Sequence, residues 1–273
     1  MRTKNICKTL NDNVKYYRFK NSYTQEELAE KCDLSPRYLS NIENLKQYNH
    51  IHLIGIGGVS MSAVAEVLHN WNFFVTGSDC SRSKITDRLS SHGISVSIGH
   101  STEFVEKADF VIYSAAIKKD DPELVCAKTN NIPIVERADF VGFLTRIYDN
   151  TIGIAGTHGK TTTTSMVALC FLEANLDPSV QVGGFLKGLG GNYRVGNSDF
   201  FILEACEYVE SFLKFSPQST IVTNIDNDHL DYFKTFDNIK HAFEKYVNML
   251  PKDGFLVTNA DDPDCLDLRK HTI

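Results

Sequence analysis

The sequence predicts an α/β protein with two parallel-sheet domains, preceded by a small all-α segment. From about Tyr48 onward, apolar strand-like runs alternate with helical stretches, and two of these strands lead into a glycine-rich turn that opens a helix. The amino terminus differs in charge. Residues 1–49 carry nine Lys and Arg against six Asp and Glu, a net charge of +3. Since the whole chain has a net charge of −6, the remaining residues carry −9. We therefore expect three parts, at residues 1–47, 48–148 and 149–273.

The composition is that of an ordinary globular protein without membrane segments. Hydrophobic residues make up 42% of the chain and charged residues 23%, and the longest apolar runs are far too short to cross a bilayer. The first twenty residues contain neither a secretory apolar region nor a cleavage site, so we expect a cytoplasmic protein. The seven cysteines are scattered without a C-x-x-C pair, which favours reduced thiols over a zinc site.

The amino-terminal segment predicts two short helices that meet at a tight turn. Leu28, Ala29 and Cys32 lie on one face of the first helix, and the apolar pattern resumes after a break. Ser35 suits the N-cap of the second helix, and Pro36 suits its first position. The pattern predicts a small all-α helix-turn-helix segment.

This segment resembles the helix-turn-helix of phage-repressor-type regulators. The resemblance implies that four side chains face DNA, namely Gln25, Arg37, Tyr38 and Asn41. Regulators of this type have further helices, whereas here the strand HIHLI begins soon after Asn44. A helical hairpin with no DNA role, left by a gene fusion or an over-extended start site, is therefore the alternative interpretation.

The first glycine-rich turn, GIGGVSMS, follows the strand HIHLI and predicts a Rossmann-like domain. Gly55, Gly57 and Gly58 let backbone N–H groups at a helix start approach a diphosphate. Ser60 stands where the dinucleotide fingerprint has its third glycine, so NAD is not the natural ligand. Asp79, at the end of the next strand, suits a ribose hydroxyl. A plain tight turn, with Asp79 as a helix cap, is the alternative.

The strongest signal is a second glycine-rich loop between the strand TIGIA and a helix, which predicts a P-loop α/β domain. The loop consists of Gly156, Thr157, His158, Gly159, Lys160, Thr161 and Thr162. Its backbone N–H groups suit the phosphates of ATP, Lys160 suits the β/γ charge, and the Thr161 hydroxyl suits Mg²⁺. Ile154 stands where the general P-loop has its first glycine. A glycine-rich turn with a surface lysine is the alternative.

Six segments occur in the order seen in the Mur ligase family, which the chain resembles from about Asn49 to about Pro263. These segments are GIGGVSMS, GSD, YSAAIKKDDPE, AGTHGKTTTT, EACEYVESFLKFSP and TNIDNDHLDYF. GIGGxxMS together with THGKTTTT points to the branch that adds L-alanine to UDP-N-acetylmuramate, or to the branch that recycles murein tripeptide. Cys206 stands where many members have Asp, which leaves the role of this position open.

The resemblance implies a Rossmann-like UDP-sugar domain and a partial P-loop ATPase domain, with site residues in both. Lys160, Glu204 and His229 are the implied catalytic residues, and Thr161 joins Glu204 and His229 in binding Mg²⁺. Glu204 and His229 follow apolar strands, and α/β ligand sites form at the carboxyl ends of parallel strands. Oxygen ligands suit Mg²⁺. Further substrate contacts are implied at His100, Ser114 and Arg137, which fit surface residues equally well.

The implied activity is an ATP-dependent ligation for peptidoglycan precursor synthesis. ATP converts the carboxylate of UDP-N-acetylmuramate to an acyl phosphate, and the amine of L-alanine then displaces phosphate. A chain that ends at Ile273 lacks the family's third domain, so we expect these residues alone to bind UDP-N-acetylmuramate without forming the amide. Two other hypotheses stay open: a DNA-binding regulator whose ligase-derived domains sense UDP-sugar or ATP, and a truncated product without function.

Overall fold

The computed structural model describes Thr24, Glu26, Glu27 and residues 48–268. Thr24 and Glu27 exchange hydrogen bonds between side chain and backbone N–H, as in a helix-capping box. The four residues predicted to face DNA, Gln25, Arg37, Tyr38 and Asn41, lie outside the described part of the chain. The chain divides between Arg137 and Ala138 into two compact units. The domain limits expected from the sequence stay predictions.

The first unit is built on a five-stranded parallel sheet of order β3-β2-β1-β4-β5. Its elements in chain order are β1 (His50–Ile54), α1 (Val59–Asn70), β2 (Phe74–Asp79), α2 (Lys84–Ser91), β3 (Ser95–Ile98), α3 (Thr102–Glu106), β4 (Phe110–Tyr113), α4 (Pro122–Thr129) and β5 (Ile134–Glu136). Helix α5 (Arg137–Thr145) begins directly after β5. The strand order reverses at β1, so the carboxyl ends of β1 and β4 flank a topological switch point, where α/β proteins bind ligands.

The central strand β1 is buried along its whole length although it contains two histidines. His50 Nε2 and His52 Nδ1 each lie 2.8 Å from the Thr76 hydroxyl, on the neighbouring strand β2. The other ring nitrogen of His52 lies 3.3 Å from the Glu123 carboxylate, on α4. Because these polar atoms have partners, the sequence HIHLI can form a core strand. Burial lowers the pKa of His50, which favours its neutral form.

The second unit is built on a six-stranded sheet of order β11-β10-β6-β9-β7-β8, parallel except for the antiparallel pair β7–β8. Its elements are β6 (Asn150–Ala155), α6 (Lys160–Glu173), β7 (Ser179–Leu186), a 3₁₀ turn (Lys187–Leu189), β8 (Gly191–Arg194), β9 (Phe200–Glu204), a 3₁₀ segment (Tyr208–Lys214), β10 (Ser219–Val222), α7 (Leu230–Phe233), α8 (Phe236–Val247), β11 (Phe255–Thr258) and α9 (Pro263–Asp267). The glycine-rich loop that begins at Gly156 follows β6, and β6 lies between β10 and β9 in the sheet.

The structure confirms the α/β class and the alternation of strands and helices expected from Tyr48 onward. Helix starts follow local sequence rules: Ser83 and Thr86 form a capping box before α2, and the Asp121 side chain caps α4, where Pro122 takes the first position. Within the described residues, no helix is long and apolar enough to span a membrane.

Candidate active site

The glycine-rich loop after β6 adopts a backbone conformation that requires its two glycines. Gly156 has φ +130° and Gly159 has φ +81°, and a Cβ at Gly156 would lie 2.0 Å from the Thr223 hydroxyl. Gly159 is also the N-cap of α6, and no side chain caps this helix end. Thr162 lies exposed on the first turn of α6. The loop therefore presents a helix amino terminus, which favours an anion such as phosphate.

The segment that follows β10 fixes the shape of this loop. Asn224 accepts a hydrogen bond from the His158 backbone N–H (2.9 Å) and donates one to its carbonyl (3.0 Å). The Asp226 N–H donates to the Thr157 hydroxyl (2.9 Å), and the His158 ring lies 3.6 Å from the Asp226 carboxylate. His158 and Thr157 thus serve to hold the loop. Asn224 was not among the predicted site residues, because its contact depends on which strand lies beside β6.

Lys160 lies folded back along the loop. Its ammonium donates to the carbonyl oxygens of Gly156 (2.5 Å) and Thr157 (3.0 Å), and it pairs with the Glu207 carboxylate at 2.9 Å. The Glu207 side chain is only 2% exposed. Glu207 was not among the predicted site residues, although its place in EACE, three residues after Glu204, was a usable signal.

Glu204, at the carboxyl end of β9, faces Thr161 at the start of α6. The Thr161 hydroxyl donates to Glu204 Oε2 at 3.3 Å, and the Gly183 N–H donates to Oε1 at 2.6 Å. Burial raises the pKa of Glu204, against the opposite effects of these hydrogen bonds and of Lys160. A raised pKa indicates a carboxylate whose charge is under-compensated, and a nearby cation would stabilise its ionised form.

His229 lies at the N-cap of the short helix α7 in a left-handed backbone conformation, with φ +52°. Its ring is tilted against the Tyr208 ring, with centroids 4.6 Å apart, and its Nε2 lies 3.9 Å from Glu207 Oε1. Among the described residues, the ligand atoms of His100, Asp121 and Glu123, in the first unit, all lie within 4.8 Å of one another. Those of Glu204, Glu207 and His229 do not form such a group.

In the first unit, the glycine-rich turn after β1 is tied to Asp79 at the end of β2. The Gly57 N–H donates to Asp79 Oδ2 at 2.8 Å, and a Cβ at Gly57 would lie 2.7 Å from that oxygen. Gly55 has φ +82°, and a Cβ there would lie 3.3 Å from the Ser114 Cβ. Gly58 is the N-cap of α1, whose first turn contains no acidic residue. The cap of α2 is Ser83, so Asp79 shapes the turn instead.

The other predicted substrate residues follow the remaining strands of this sheet. Ser114 follows β4, His100 follows β3, and Arg137 begins α5 directly after β5. Arg137 donates to the Ser60 hydroxyl at 2.9 Å, and His100, which is 58% exposed, lies 3.4 Å from Asp121. Because carboxyl ends of parallel strands share one edge, all seven predicted substrate residues lie along the same edge of the sheet.

Glu123 connects this edge to the buried strands. Its carboxylate accepts hydrogen bonds from the Ser78 hydroxyl (2.6 Å) and the Ser101 N–H (2.9 Å). The Ser78 carbonyl in turn accepts the N–H groups of Gly55 and Ile56, at 2.8 and 2.9 Å. Burial opposes ionisation of Glu123, yet the hydrogen bonds from His52, Ser78 and Ser101 hold its pKa below the ordinary value.

Comparison with known protein families assigns each part of the chain. The Mur ligase family catalytic domain matches residues 50–148, the Mur ligase middle domain matches residues 154–272, and a helix-turn-helix domain matches residues 14–47.

Curated relatives and solved structures of this kind are similar to the chain over most of its length. UDP-N-acetylmuramate–L-alanine ligases from Acetivibrio thermocellus and Clostridium botulinum (strain Okra) are 49% and 54% identical over 224 and 213 residues, covering 82% and 78% of this chain. The chain spans about half the length of these relatives, 48% and 46%.

Two solved structures extend this similarity to the fold. The crystal structure of the UDP-N-acetylmuramate–alanine ligase from Thermotoga maritima is 35% identical, with a TM-score of 0.75 over 80% of this chain and 51% of that one. The UDP-N-acetylmuramate:L-alanyl-γ-D-glutamyl-meso-diaminopimelate ligase from Neisseria meningitides is 27% identical, with a TM-score of 0.75 over 82% of this chain and 76% of that one.

Proposed function

Because the chain belongs to the Mur ligase family, we propose that it carries the UDP-sugar and ATP sites of a ligase that joins L-alanine to UDP-N-acetylmuramate. This function belongs to peptidoglycan precursor synthesis. The observation that carries the proposal is the meeting of Lys160, Thr161 and Glu204 at the glycine-rich loop, at the carboxyl ends of β6 and β9. This group of residues combines a cation, a helix amino terminus and a hard-oxygen pair, which is the chemistry that phosphoryl transfer from ATP requires.

The reaction we propose proceeds in two steps through an acyl phosphate. An oxygen of the muramoyl carboxylate attacks the γ-phosphorus of ATP, and the bond between that phosphorus and ADP breaks. The amine nitrogen of L-alanine then attacks the acyl carbon, the bond to phosphate breaks, and the nitrogen loses a proton. Lys160 and the N–H groups at the start of α6 offset the negative charge that develops during the first step.

The residues at the second-unit site fit Mg²⁺ as the cofactor of ATP. Thr161 and Glu204 would hold it, because their oxygens already lie 3.3 Å apart and the partly buried Glu204 carboxylate has a raised pKa. A bound Mg²⁺ supplies positive charge to phosphate oxygens. We propose His229 as a ligand of a second Mg²⁺ that positions the muramoyl carboxylate.

In the first unit, we propose that UDP-N-acetylmuramate lies at the carboxyl edge of the sheet. Gly55, Gly57 and Gly58 let the diphosphate approach the amino terminus of α1 closely, while the N–H groups of Gly55 and Gly57 are themselves bonded to Ser78 and Asp79. Asp79 already binds the Gly57 N–H through one carboxylate oxygen, so it would act on the ribose through the other. His100, Ser114 and Arg137 extend the same edge as further contacts. L-Alanine is favoured over murein tripeptide because relatives named for alanine addition reach about 50% identity.

The test of this function is the variant Lys160→Ala in an enzyme preparation that forms the amide. Turnover should fall at least about a hundredfold, because the variant lacks a charge directed at the transferred phosphoryl group. The control is Lys187→Ala, which removes an exposed lysine of the same unit. Mass detection of UDP-N-acetylmuramoyl-L-alanine measures the product, and near-normal turnover of Lys160→Ala would contradict the assignment.

DNA binding by the amino-terminal segment is a second candidate function, favoured by the helix-turn-helix match over residues 14–47. The net +3 of residues 1–49 supports it. We expect affinity for DNA to fall steeply with added salt, and Arg37→Ala to lose discrimination between sequences. A mobility-shift titration measures both, and absence of binding at low salt would favour a segment without a DNA role.

A further inference from the structure

We propose that Glu207 is a positioning residue that holds Lys160 inside the glycine-rich loop until a nucleotide phosphate displaces it. The inference rests on the proposed function, because it assumes that Lys160 binds the phosphates of ATP. In this proposal, the Glu207 carboxylate competes with the nucleotide phosphate for the Lys160 ammonium.

The Lys160 ammonium already makes three hydrogen bonds within the protein. A lysine ammonium has three donors, and here they are directed at Gly156 O, Thr157 O and the Glu207 carboxylate. A phosphate oxygen can bind this ammonium only if one of these contacts is lost or shared. Glu207 is the anionic member of the three, so a phosphate competes with it most directly.

The Glu207 carboxylate is buried against the Lys160 ammonium. Both of its carboxylate oxygens lie 2.9 Å from the Lys160 ammonium, and its side chain is 2% exposed. A carboxylate buried to this degree needs a cationic partner, because water cannot solvate its charge. The pair therefore fixes the Lys160 side chain in one orientation before a nucleotide arrives.

The segment around Glu207 is itself held in a costly conformation. Val209 and Glu210 have φ +49° and +53°, in the left-handed region of the backbone that is unfavourable for residues other than glycine. The Tyr208 ring is tilted against the His229 ring, and its hydroxyl donates to Asp231 at 3.3 Å. In this backbone arrangement the Glu207 carboxylate lies 2.9 Å from the Lys160 ammonium and 3.9 Å from the His229 ring.

Two opposite effects follow for Glu207→Gln. Without the carboxylate, Lys160 is free to pair with phosphate, so nucleotide affinity should rise by roughly three- to tenfold, within the range of couplings between contacting charged groups. Lys160 would also lose its fixed orientation, so kcat should fall in a preparation that forms the amide. Tighter nucleotide binding together with a lower kcat is a combination that a general loss of protein stability does not produce.

The experiment is a double-mutant cycle on the 273-residue chain. Calorimetry measures the Kd of a non-hydrolysable ATP analogue with Mg²⁺ for the wild type, Glu207→Gln, Lys160→Ala and the double variant. We expect Glu207→Gln to tighten binding in the wild-type background and to change nothing in the Lys160→Ala background. Equal tightening in both backgrounds would overturn the inference, because Glu207 would then act only as a general negative charge.

Two further variants complete the design. Glu210 lies on the same segment as Glu207 and pairs with Lys245. The variant Glu210→Gln should leave the Kd of the ATP analogue unchanged. If Glu207→Gln does not fold, Glu207→Asp replaces it, since its shorter side chain weakens the hold on Lys160 and should tighten binding by a smaller factor. An Asp variant with the wild-type Kd would overturn the inference. A wild type that binds no nucleotide would instead refute the proposed function.

Discussion

Gly183 illustrates how one residue without a side chain shapes the proposed metal site. Its N–H donates to Glu204 Oε1 at 2.6 Å, and a Cβ in its place would lie 2.3 Å from Glu204 Oε2. A side chain at residue 183 would therefore displace the Glu204 carboxylate from its present position facing Thr161. The neighbouring Gly184 provides a matched contrast, because a Cβ there would meet only the Thr161 methyl group, at 3.4 Å.

We predict that Gly183→Ala displaces Glu204 and weakens the effect of Mg²⁺ on nucleotide affinity by about tenfold, as expected for residues that orient a metal ligand. Gly184→Ala should retain the wild-type effect. Calorimetric titrations of an ATP analogue with and without Mg²⁺ measure the difference. An unchanged Mg²⁺ effect in Gly183→Ala would remove Glu204 from the proposed metal site.

At the residue scale, the sequence identifies those parts of the site that are contiguous in the chain. Lys160 and Thr161 follow from the loop motif alone, because the loop and the helix start lie in one segment. Gly183 and Asn224 were not predicted, since they lie on or after other strands and their contacts with Glu204 and with the loop depend on strand order. Glu207 was also not predicted, although it lies three residues after Glu204. A motif does not encode strand order.

At the scale of elements, buried polar bonds join α4 to the strands that carry the candidate UDP-sugar site. Glu123 binds Ser78 on β2 and the Ser101 N–H after β3, and it lies 3.3 Å from His52 on β1. Its pKa is held below the ordinary 4.5. A group with a lowered folded-state pKa stabilises the protein above its unfolded-state pKa, and this stabilisation is lost as the pH falls through the folded-state value.

We predict that Glu123→Gln lowers the free energy of unfolding by about 1–3 kcal/mol at pH 7, because the variant breaks bonds to a buried carboxylate. The difference should shrink as the pH falls below 4.5, because the Glu123 carboxylate of the unfolded chain is protonated first, and it should be lost once the pH falls through the lowered folded-state pKa. Urea unfolding followed by the fluorescence of Trp71, the single tryptophan and a buried residue of the same unit, measures it.

The matched control is Glu103→Gln, which removes an exposed carboxylate paired with Lys107. Its effect on the free energy of unfolding should be small, because an exposed ion pair contributes little to stability. A loss in Glu123→Gln that is equally large at pH 7 and pH 3.5 would show that side-chain shape, and not the carboxylate charge, maintains these contacts.

The sequence predicts most elements but not all of them. Continuous apolar runs such as FVIY and FFILE indicate buried parallel strands, and the structure confirms both as β4 and β9. The antiparallel pair β7–β8 was not predicted, because its glycine-rich sequence lacks both a continuous apolar run and clear alternation. Yet β7 contributes Gly183 to the proposed metal site, so this omission also concealed a site residue.

At the scale of the whole molecule, each unit has one proposed ligand. We propose that UDP-N-acetylmuramate binds at the sheet around β1 and that ATP with Mg²⁺ binds at the loop after β6. The family matches divide the chain in the same order, at residues 50–148 and 154–272. Sequence motifs suffice for this proposal because each proposed site contains one glycine-rich turn at the end of one strand.

The most direct test of this assignment is a crossed calorimetric titration of the 273-residue chain with UDP-N-acetylmuramate and with an ATP analogue plus Mg²⁺. In Gly57→Val, a side chain would collide with Asp79 and Thr86, so UDP-N-acetylmuramate binding should be lost while nucleotide binding persists. Lys160→Ala should weaken nucleotide binding by roughly tenfold or more and leave the UDP-sugar affinity unchanged. A wild type that binds neither ligand, or a variant that loses both, would contradict the account.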